Sequence, residues 1–115
     1  MSTLAQAAAR FAESYHARPA LVEEQRGWSR TFLLRASDAD DAVAVRVEDG
    51  RVVEIAAAPQ GEADVVITAD AATLQDVLEL RRSPNEPYLF GELTVRGPEA
   101  DFARLDYIVE ILCPA

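Results

Sequence analysis

The chain has 115 residues, a length suited to one domain with its own core. Its 20 acidic residues outnumber its 11 basic residues, all arginine, which gives a formal net charge of −9. This charge disfavours nucleic-acid binding and strong binding to anionic membranes, because both surfaces attract basic side chains. The single cysteine excludes an internal disulfide, and neither a signal peptide nor an apolar run of ~20 residues is present, so we expect a cytoplasmic protein.

Apolar periodicity and turn residues divide the chain into three helices, a helical turn and five strands. In chain order these are a helix at 3–17, a polar connection at 20–27, strands at 31–36, 42–48, 51–58 and 64–69, a helix between Asp70 and Ser83-Pro84, a helical turn within 85–91, a strand at 92–96, and a helix between Gly97-Pro98 and Pro114. The grouping predicts an α+β domain whose five-stranded sheet is mainly antiparallel, with helices packed on one face.

Local signals support these bounds. Thr3 begins a capping-box pattern, and Asp70 is a typical N-cap for the helix that follows. The Asp49-Gly50 pair predicts a type I′ hairpin turn, because such a turn needs positive φ at both central residues. Pro59 is expected to end the third strand, and Pro98 to occupy the first position of the last helix.

Motifs for catalysis or metal binding are missing from the sequence. His16 has no partner at metal-ligand spacing and is interpreted as a solvated residue at the end of a helix. The acidic stretch with Asp38, Asp40 and Asp41 lacks the glycine and glutamate of a calcium loop, which favours a solvated turn. Cys113 lies in a mostly apolar segment and is interpreted as a structural thiol. We therefore expect no enzyme activity, no metal and no cofactor.

Two segments together resemble a known family. Residues 63–80 read ADVVITADAATLQDVLEL, and residues 87–112 read PYLFGELTVRGPEADFARLDYIVEIL. In this order they resemble the sterol-carrier-protein domain family, the nonspecific lipid-transfer type. The resemblance covers residues 27–112 of a single 1–115 domain, with Trp28 and the hairpin at consistent places, and residues 1–26 add an N-terminal helix and connection. Family members commonly carry lysines around the strand where this chain has Glu92, Thr94 and Arg96, and the family's common peroxisomal ending is absent.

The resemblance implies a non-catalytic carrier with a hydrophobic tunnel between sheet and helices, holding a fatty acid, an acyl-CoA or a sterol-like molecule. It also implies a set of ligand-lining residues, which are Leu74, Val77, Leu78, Tyr88, Leu89, Phe90, Leu93, Val95, Phe102, Leu105, Ile108, Val109 and Leu112. Gly91 and Gly97 fit positions that need positive φ or close backbone approach.

Two readings of this apolar set remain open. For any one of these side chains ordinary core is the favoured interpretation, so the tunnel is implied only for the set as a whole. The alternative function is a protein-interaction or homodimerisation module with a filled interior, because Tyr107 and Ile111 widen the apolar stripe of the last helix.

Overall fold

The computed structural model describes residues 2–57 and 62–113, so the expected roles of Pro59 and Pro114 lie outside the described residues. The elements are α1 (Thr3–His16), α2 (Pro19–Glu24), β1 (Arg30–Ala36), β2 (Ala42–Glu48), β3 (Arg51–Ala57), β4 (Val65–Ala69), α3 (Ala71–Leu78), α4 (Asn85–Leu89), β5 (Leu93–Arg96) and α5 (Glu99–Leu112). All five predicted strands form, with bounds within one residue of those expected wherever the structure describes them.

The five strands form one sheet in the order β3-β2-β1-β4-β5. Neighbouring strands are antiparallel except β1 and β4, which run parallel with Phe32 opposite Val65. The prediction of an α+β fold with a mainly antiparallel sheet is therefore confirmed.

The β-strand alternation places the apolar core on one face of the sheet. Phe32 and Leu34 of β1 share this face with Val45 of β2 and Ile67 of β4, and all four are buried. Leu4, Ala7, Ala8 and Phe11 of α1 and Leu74, Val77 and Leu78 of α3 belong to the same buried cluster, as do Phe102, Ile108 and Val109 of α5. The opposite face carries exposed polar side chains, including Arg35 and Arg96.

Turn chemistry follows the sequence in two places. Asp49 and Gly50 adopt φ angles of 49° and 81°, as the predicted hairpin turn requires. Asp70 is the N-cap of α3, where its side chain accepts a hydrogen bond from the Thr73 N–H at 3.0 Å.

The acidic turn between β1 and β2 has a structural role that the sequence reading missed. Asp41 accepts hydrogen bonds from the Leu4 N–H and the Ser2 hydroxyl, and Asp38 accepts one from the Ala71 N–H at 2.9 Å. The two carboxylates thus sit at the N-termini of α1 and α3, where the helix dipole favours negative charge. Ser2, rather than Thr3, is the N-cap of α1.

The structure adds one helix that was not predicted and shifts the start of another. The predicted polar connection contains α2, which forms because Pro19 suits a first helical turn and Leu21 and Val22 become buried. Pro98 is the N-cap of α5 and not its first helical residue.

The third helix ends at Leu78, well before the predicted stop. Leu80 takes a left-handed conformation with φ 65°, and its N–H bonds to the Val77 carbonyl. The Arg81 N–H bonds to the Asp76 carbonyl at 2.8 Å, which completes a Schellman motif. Glycine normally occupies this position, so a leucine there gave no signal in the sequence.

His16 is also less solvated than predicted. Its Nε2 accepts a hydrogen bond from the Val52 N–H at 3.1 Å, which ties the end of α1 to β3. Burial, together with the positive charge of Arg51, lowers the pKa of His16 below its ordinary value.

We expect Gly97→Ala to destabilise the fold more than Gly91→Ala. Both glycines have positive φ, so each alanine carries a conformational cost of about 1–2 kcal/mol. A Cβ at Gly97 would also meet the Asp64 carbonyl oxygen at 2.5 Å, whereas nothing lies within 4 Å of a Cβ at Gly91. Urea unfolding of the two variants measures the difference, and equal midpoints would show that the close approach at Gly97 costs nothing.

Candidate functional site

An apolar cavity lies between the sheet and helices α1, α3 and α5. Its lining side chains are Phe11, Tyr15, Trp28, Phe32, Leu34, Val45, Val47, Val52, Ile67, Leu74, Val77, Leu78, Pro84, Leu93, Leu105, Ile108 and Val109. The cavity has a volume of about 40 Å³. Ligand pockets for drug-sized molecules span roughly 300–1,000 Å³, so a long lipid needs the walls of this cavity to move apart.

The residues predicted to line a ligand site divide into three groups. Seven border the cavity, which are Leu74, Val77, Leu78, Leu93, Leu105, Ile108 and Val109. Three belong to the core or pack against it without bordering the cavity, which are Val95, Phe102 and Leu112. Tyr88, Leu89 and Phe90 lie on the surface. Contact of any of them with a ligand stays a prediction.

Ten lining residues were missed by sequence reasoning. They are Phe11, Tyr15, Trp28, Phe32, Leu34, Val45, Val47, Val52, Ile67 and Pro84. The sequence alternation in β2 puts Val45 and Val47 on one face, but only the register of the sheet shows that β1 and β4 add side chains beside them.

Two aromatic residues of the cavity wall carry polar atoms, and both atoms have partners in the protein. The Tyr15 hydroxyl donates a hydrogen bond to the Gly50 carbonyl oxygen, and the Trp28 Nε1–H donates to Asp101 Oδ1 at 3.0 Å. Every other lining residue is purely apolar. The cavity therefore provides an apolar surface with no free hydrogen-bonding side chain.

The carboxylate of Asp101 joins the start of α5 to the sheet. Its side chain is almost fully buried, and Oδ2 accepts a hydrogen bond from Arg30 Nε at 2.8 Å while Oδ1 binds Trp28. Asp101 lies in the first turn of α5, where the helix dipole also favours a negative charge. The Arg104 guanidinium lies 5.2 Å from the centre of the Trp28 ring and donates a hydrogen bond to the Gln25 side chain at 2.6 Å.

A sequence model described as the SCP-2 sterol transfer family matches residues 9–105. The chain belongs to this family. No curated protein sequence matches this SCP-2 domain closely enough to count as a relative.

Several solved structures are similar to this SCP-2 domain. One is a crystal structure of sterol carrier protein 2, with 24% sequence identity and a TM-score of 0.70, and the alignment covers 97% of this chain and 95% of that chain. A Thermus thermophilus protein described as possibly a sterol carrier protein has 24% identity and a TM-score of 0.66, covering 100% of this chain and 90% of that chain. The palmitated SCP2L2 of Aedes aegypti has 16% identity and a TM-score of 0.64, covering 95% of each chain. At these identities the likeness shows the fold.

Two kinds of feature are absent from the described part of this SCP-2 domain. Residues 2–57 and 62–113 contain no helix long and apolar enough to cross a membrane. Within the same ranges, no group of three or more His, Cys, Asp or Glu side chains could hold a metal ion.

We expect Asp101→Ala to lower the free energy of unfolding by about 1–3 kcal/mol, because it leaves the buried Trp28 N–H without a partner. Glu99→Ala is the matched control, since Glu99 is an exposed acid in the same turn of α5. Urea unfolding followed by Trp28 fluorescence measures both, and the emission of the folded Asp101→Ala variant should also shift. Equal stability of the two variants would contradict a role for Asp101 in fixing α5.

We expect the stability of the protein to fall as the pH rises from about 10 to about 12. Burial raises the pKa of Tyr15 from 10.0 to about 12, although Arg51 and Arg104 oppose the shift. The folded state holds the phenol proton more tightly than the unfolded state, so the stabilisation from this proton is complete below pH 10. It is lost as the pH rises through the folded-state pKa, and each unit of pKa shift corresponds to about 1.4 kcal/mol in the free energy of unfolding.

Urea midpoints measured across this pH range test the expectation. Tyr15→Phe is the control, because phenylalanine keeps the ring and removes the titrating group. The decline should be shallower in that variant, and an unchanged decline would assign the effect to other groups.

Proposed function

We propose that this SCP-2 family domain carries a lipid-like molecule, a fatty acid, an acyl-CoA or a sterol, with its apolar part between the sheet and helices α1, α3 and α5. The convergence of side chains from three helices and all five strands on one wholly apolar space carries the proposal. Membership of a family that binds hydrophobic lipids supports it, and the palmitated Aedes aegypti relative supports a fatty acyl chain in particular. No catalytic step is needed.

Apolar burial supplies the binding energy in this proposal. Each methylene that leaves water for an apolar environment contributes about 0.8 kcal/mol. A long acyl chain therefore gains on the order of ten kcal/mol before the costs of ordering and of wall movement are subtracted. Since the lining offers no free polar side chain, we expect selection by apolar length and volume, with a carboxylate or CoA group kept at the surface.

The wall formed by α5 is our candidate for the one that moves. It contributes Leu105, Ile108 and Val109 to the cavity. Helix α4 is joined to it, because the Asn85 N–H donates a hydrogen bond to Asp106 Oδ1 at 3.0 Å. We expect α4 and α5 to move outward together when a ligand enters.

The setting that we propose is a single domain acting in a reducing compartment such as the cytoplasm. The half-buried Cys113 is a free thiol, and burial raises its pKa above the ordinary value, with Glu110 and Asp106 adding to the effect. A thiol with a raised pKa is a poor nucleophile, which fits the structural role expected for it.

A second candidate function is homodimerisation through α5. Tyr107 and Ile111 are both about two-fifths exposed on this helix, at a surface groove that also involves Leu21 and Glu24 of α2. Light scattering tests it, and a monomer at micromolar concentration would remove it.

Trp28 is the only tryptophan and lines the cavity, so it reports directly on occupancy. We expect energy transfer from Trp28 to bound cis-parinaric acid or dehydroergosterol. Ile108→Phe should weaken binding about tenfold or more. The larger ring fills cavity space that more than one methylene of the ligand would otherwise occupy, and the ligand loses the binding energy of those groups.

Ile111→Phe is the matched control, since Ile111 lies on the same helix outside the cavity. Circular dichroism checks that both variants fold, and Val77→Leu fills less space with less strain should Ile108→Phe unfold. Absence of energy transfer from the wild-type protein with both probes, or equal affinities of all variants, would refute the proposal.

A further inference from the structure

The surface bears one protruding apolar feature, which we call the α4 tip and define as Tyr88, Leu89 and Phe90. Leu89 is 72% exposed and Phe90 is 76% exposed, more than any other large hydrophobic side chain that the structure describes. The two residues are consecutive, at the end of α4 and the start of the turn into β5. Contiguous exposed apolar groups of this kind mark interaction sites more often than isolated ones.

The α4 tip is held in place by the fold. Pro84 and Pro87, on either side of the start of α4, are among the most deeply buried residues. The Tyr88 ring packs against the Phe102 ring of α5, with centroids 5.1 Å apart. The Glu92 N–H closes the turn by bonding to the Pro87 carbonyl oxygen at 2.8 Å. A supported turn therefore holds Leu89 and Phe90 out in water, where they contribute nothing to the core.

The charged side chains beside the α4 tip carry a small excess of negative charge. Arg82 lies 3.4 Å from a carboxylate oxygen of Glu86 and 3.5 Å from one of Glu92. These three groups sum to about one negative charge, Asp106 adds a carboxylate at the start of α4, and the whole chain carries −9. An anionic lipid surface would be repelled, whereas a zwitterionic surface meets no net opposition.

The shape of the α4 tip also favours a lipid surface over a protein partner. Three side chains expose far less than the roughly 800 Å² per partner that a stable protein interface buries. A protruding pair of apolar side chains with a half-exposed tyrosine beside it suits the boundary between headgroups and acyl chains, where tyrosine is enriched.

We propose that the α4 tip docks this protein on zwitterionic lipid bilayers by inserting Leu89 and Phe90 below the headgroups. The purpose of this docking rests on the proposed carrier function, because Pro84, next to α4, lines the cavity and Tyr88 packs against Phe102 of α5, the helix whose later turns line it. Docking itself requires no bound ligand and is measured without one.

The experiment is co-sedimentation of the ligand-free protein with vesicles of pure phosphatidylcholine, and of phosphatidylcholine mixed with phosphatidylserine. We expect partition onto pure phosphatidylcholine, weaker partition onto the mixed vesicles, and at least a roughly tenfold loss for the Leu89→Ser/Phe90→Ser variant. Val53→Ser/Ile111→Ser is the matched control, since it removes two other exposed apolar side chains, and it should bind as the wild type does.

A second measurement locates the contact. In a Cys113→Ser background, an environment-sensitive label on Phe90→Cys should shift to the blue on phosphatidylcholine vesicles, and the same label on Ile111→Cys should not. The inference would be overturned if the two double variants partitioned equally, or if the protein bound more strongly to vesicles with phosphatidylserine. It would also be overturned if the wild-type protein were a dimer that the Leu89→Ser/Phe90→Ser substitutions dissociate and the Val53→Ser/Ile111→Ser substitutions do not.

The two proposals fail in different ways. Energy transfer from Trp28 to a fluorescent lipid in vesicle-free buffer measures the carrier function alone. Normal transfer without vesicle binding would refute docking and leave the carrier intact. Vesicle binding without transfer would refute the carrier and leave docking intact.

Discussion

One buried carboxylate ties the beginning of α5 to the sheet. A charge removed from water is tolerated only when it is paired and hydrogen-bonded, and Asp101 meets that condition through Trp28, Arg30 and the N-terminal end of its own helix. The same contacts orient the Trp28 indole, so that its N–H is satisfied by Asp101 while its ring forms part of the cavity wall. Trp28 thus takes part both in the hydrogen bond that ties α5 to the sheet and in the apolar cavity wall.

The first turn of α5 and its later turns are therefore held by different kinds of contact. The beginning of α5 is fixed to the sheet by charge, whereas its later turns meet the cavity through the apolar side chains of Leu105, Ile108 and Val109. On the outer side of the same turns, Arg104 binds Gln25 and Tyr107 binds Glu24. Asp106 and Phe102 link α5 to α4, and α4 ends in the exposed Leu89 and Phe90. A lipid surface in contact with the α4 tip would therefore lie one layer of side chains from the wall that we propose to move.

Local patterns in the sequence were enough for the strands, the hairpin at Asp49-Gly50 and the capping of α3 by Asp70, because each depends on neighbouring residues. The end of α3 could not be foreseen, since Leu80 adopts a backbone conformation that leucine rarely takes. The resemblance to the sterol-carrier-protein family implied the residues of α3 and α5 that border the cavity, but those of β1, β2 and β4 required the sheet register. In a helix as short as α4, periodicity does not distinguish a buried face from an exposed one, so the outward direction of Leu89 and Phe90 had no sequence signal.

The parallel pairing of β1 with β4 has a consequence for how the chain folds. The β1–β2–β3 meander needs only short loops, whereas β4 must come back to the far edge of β1 across the whole meander. Loop closure of this kind slows folding, and until it is complete β1 presents an unpaired edge rich in large apolar residues. We therefore expect β1, the strand that finally lies at the centre of the sheet, to be open to aggregation in the nascent protein until β4 pairs with it.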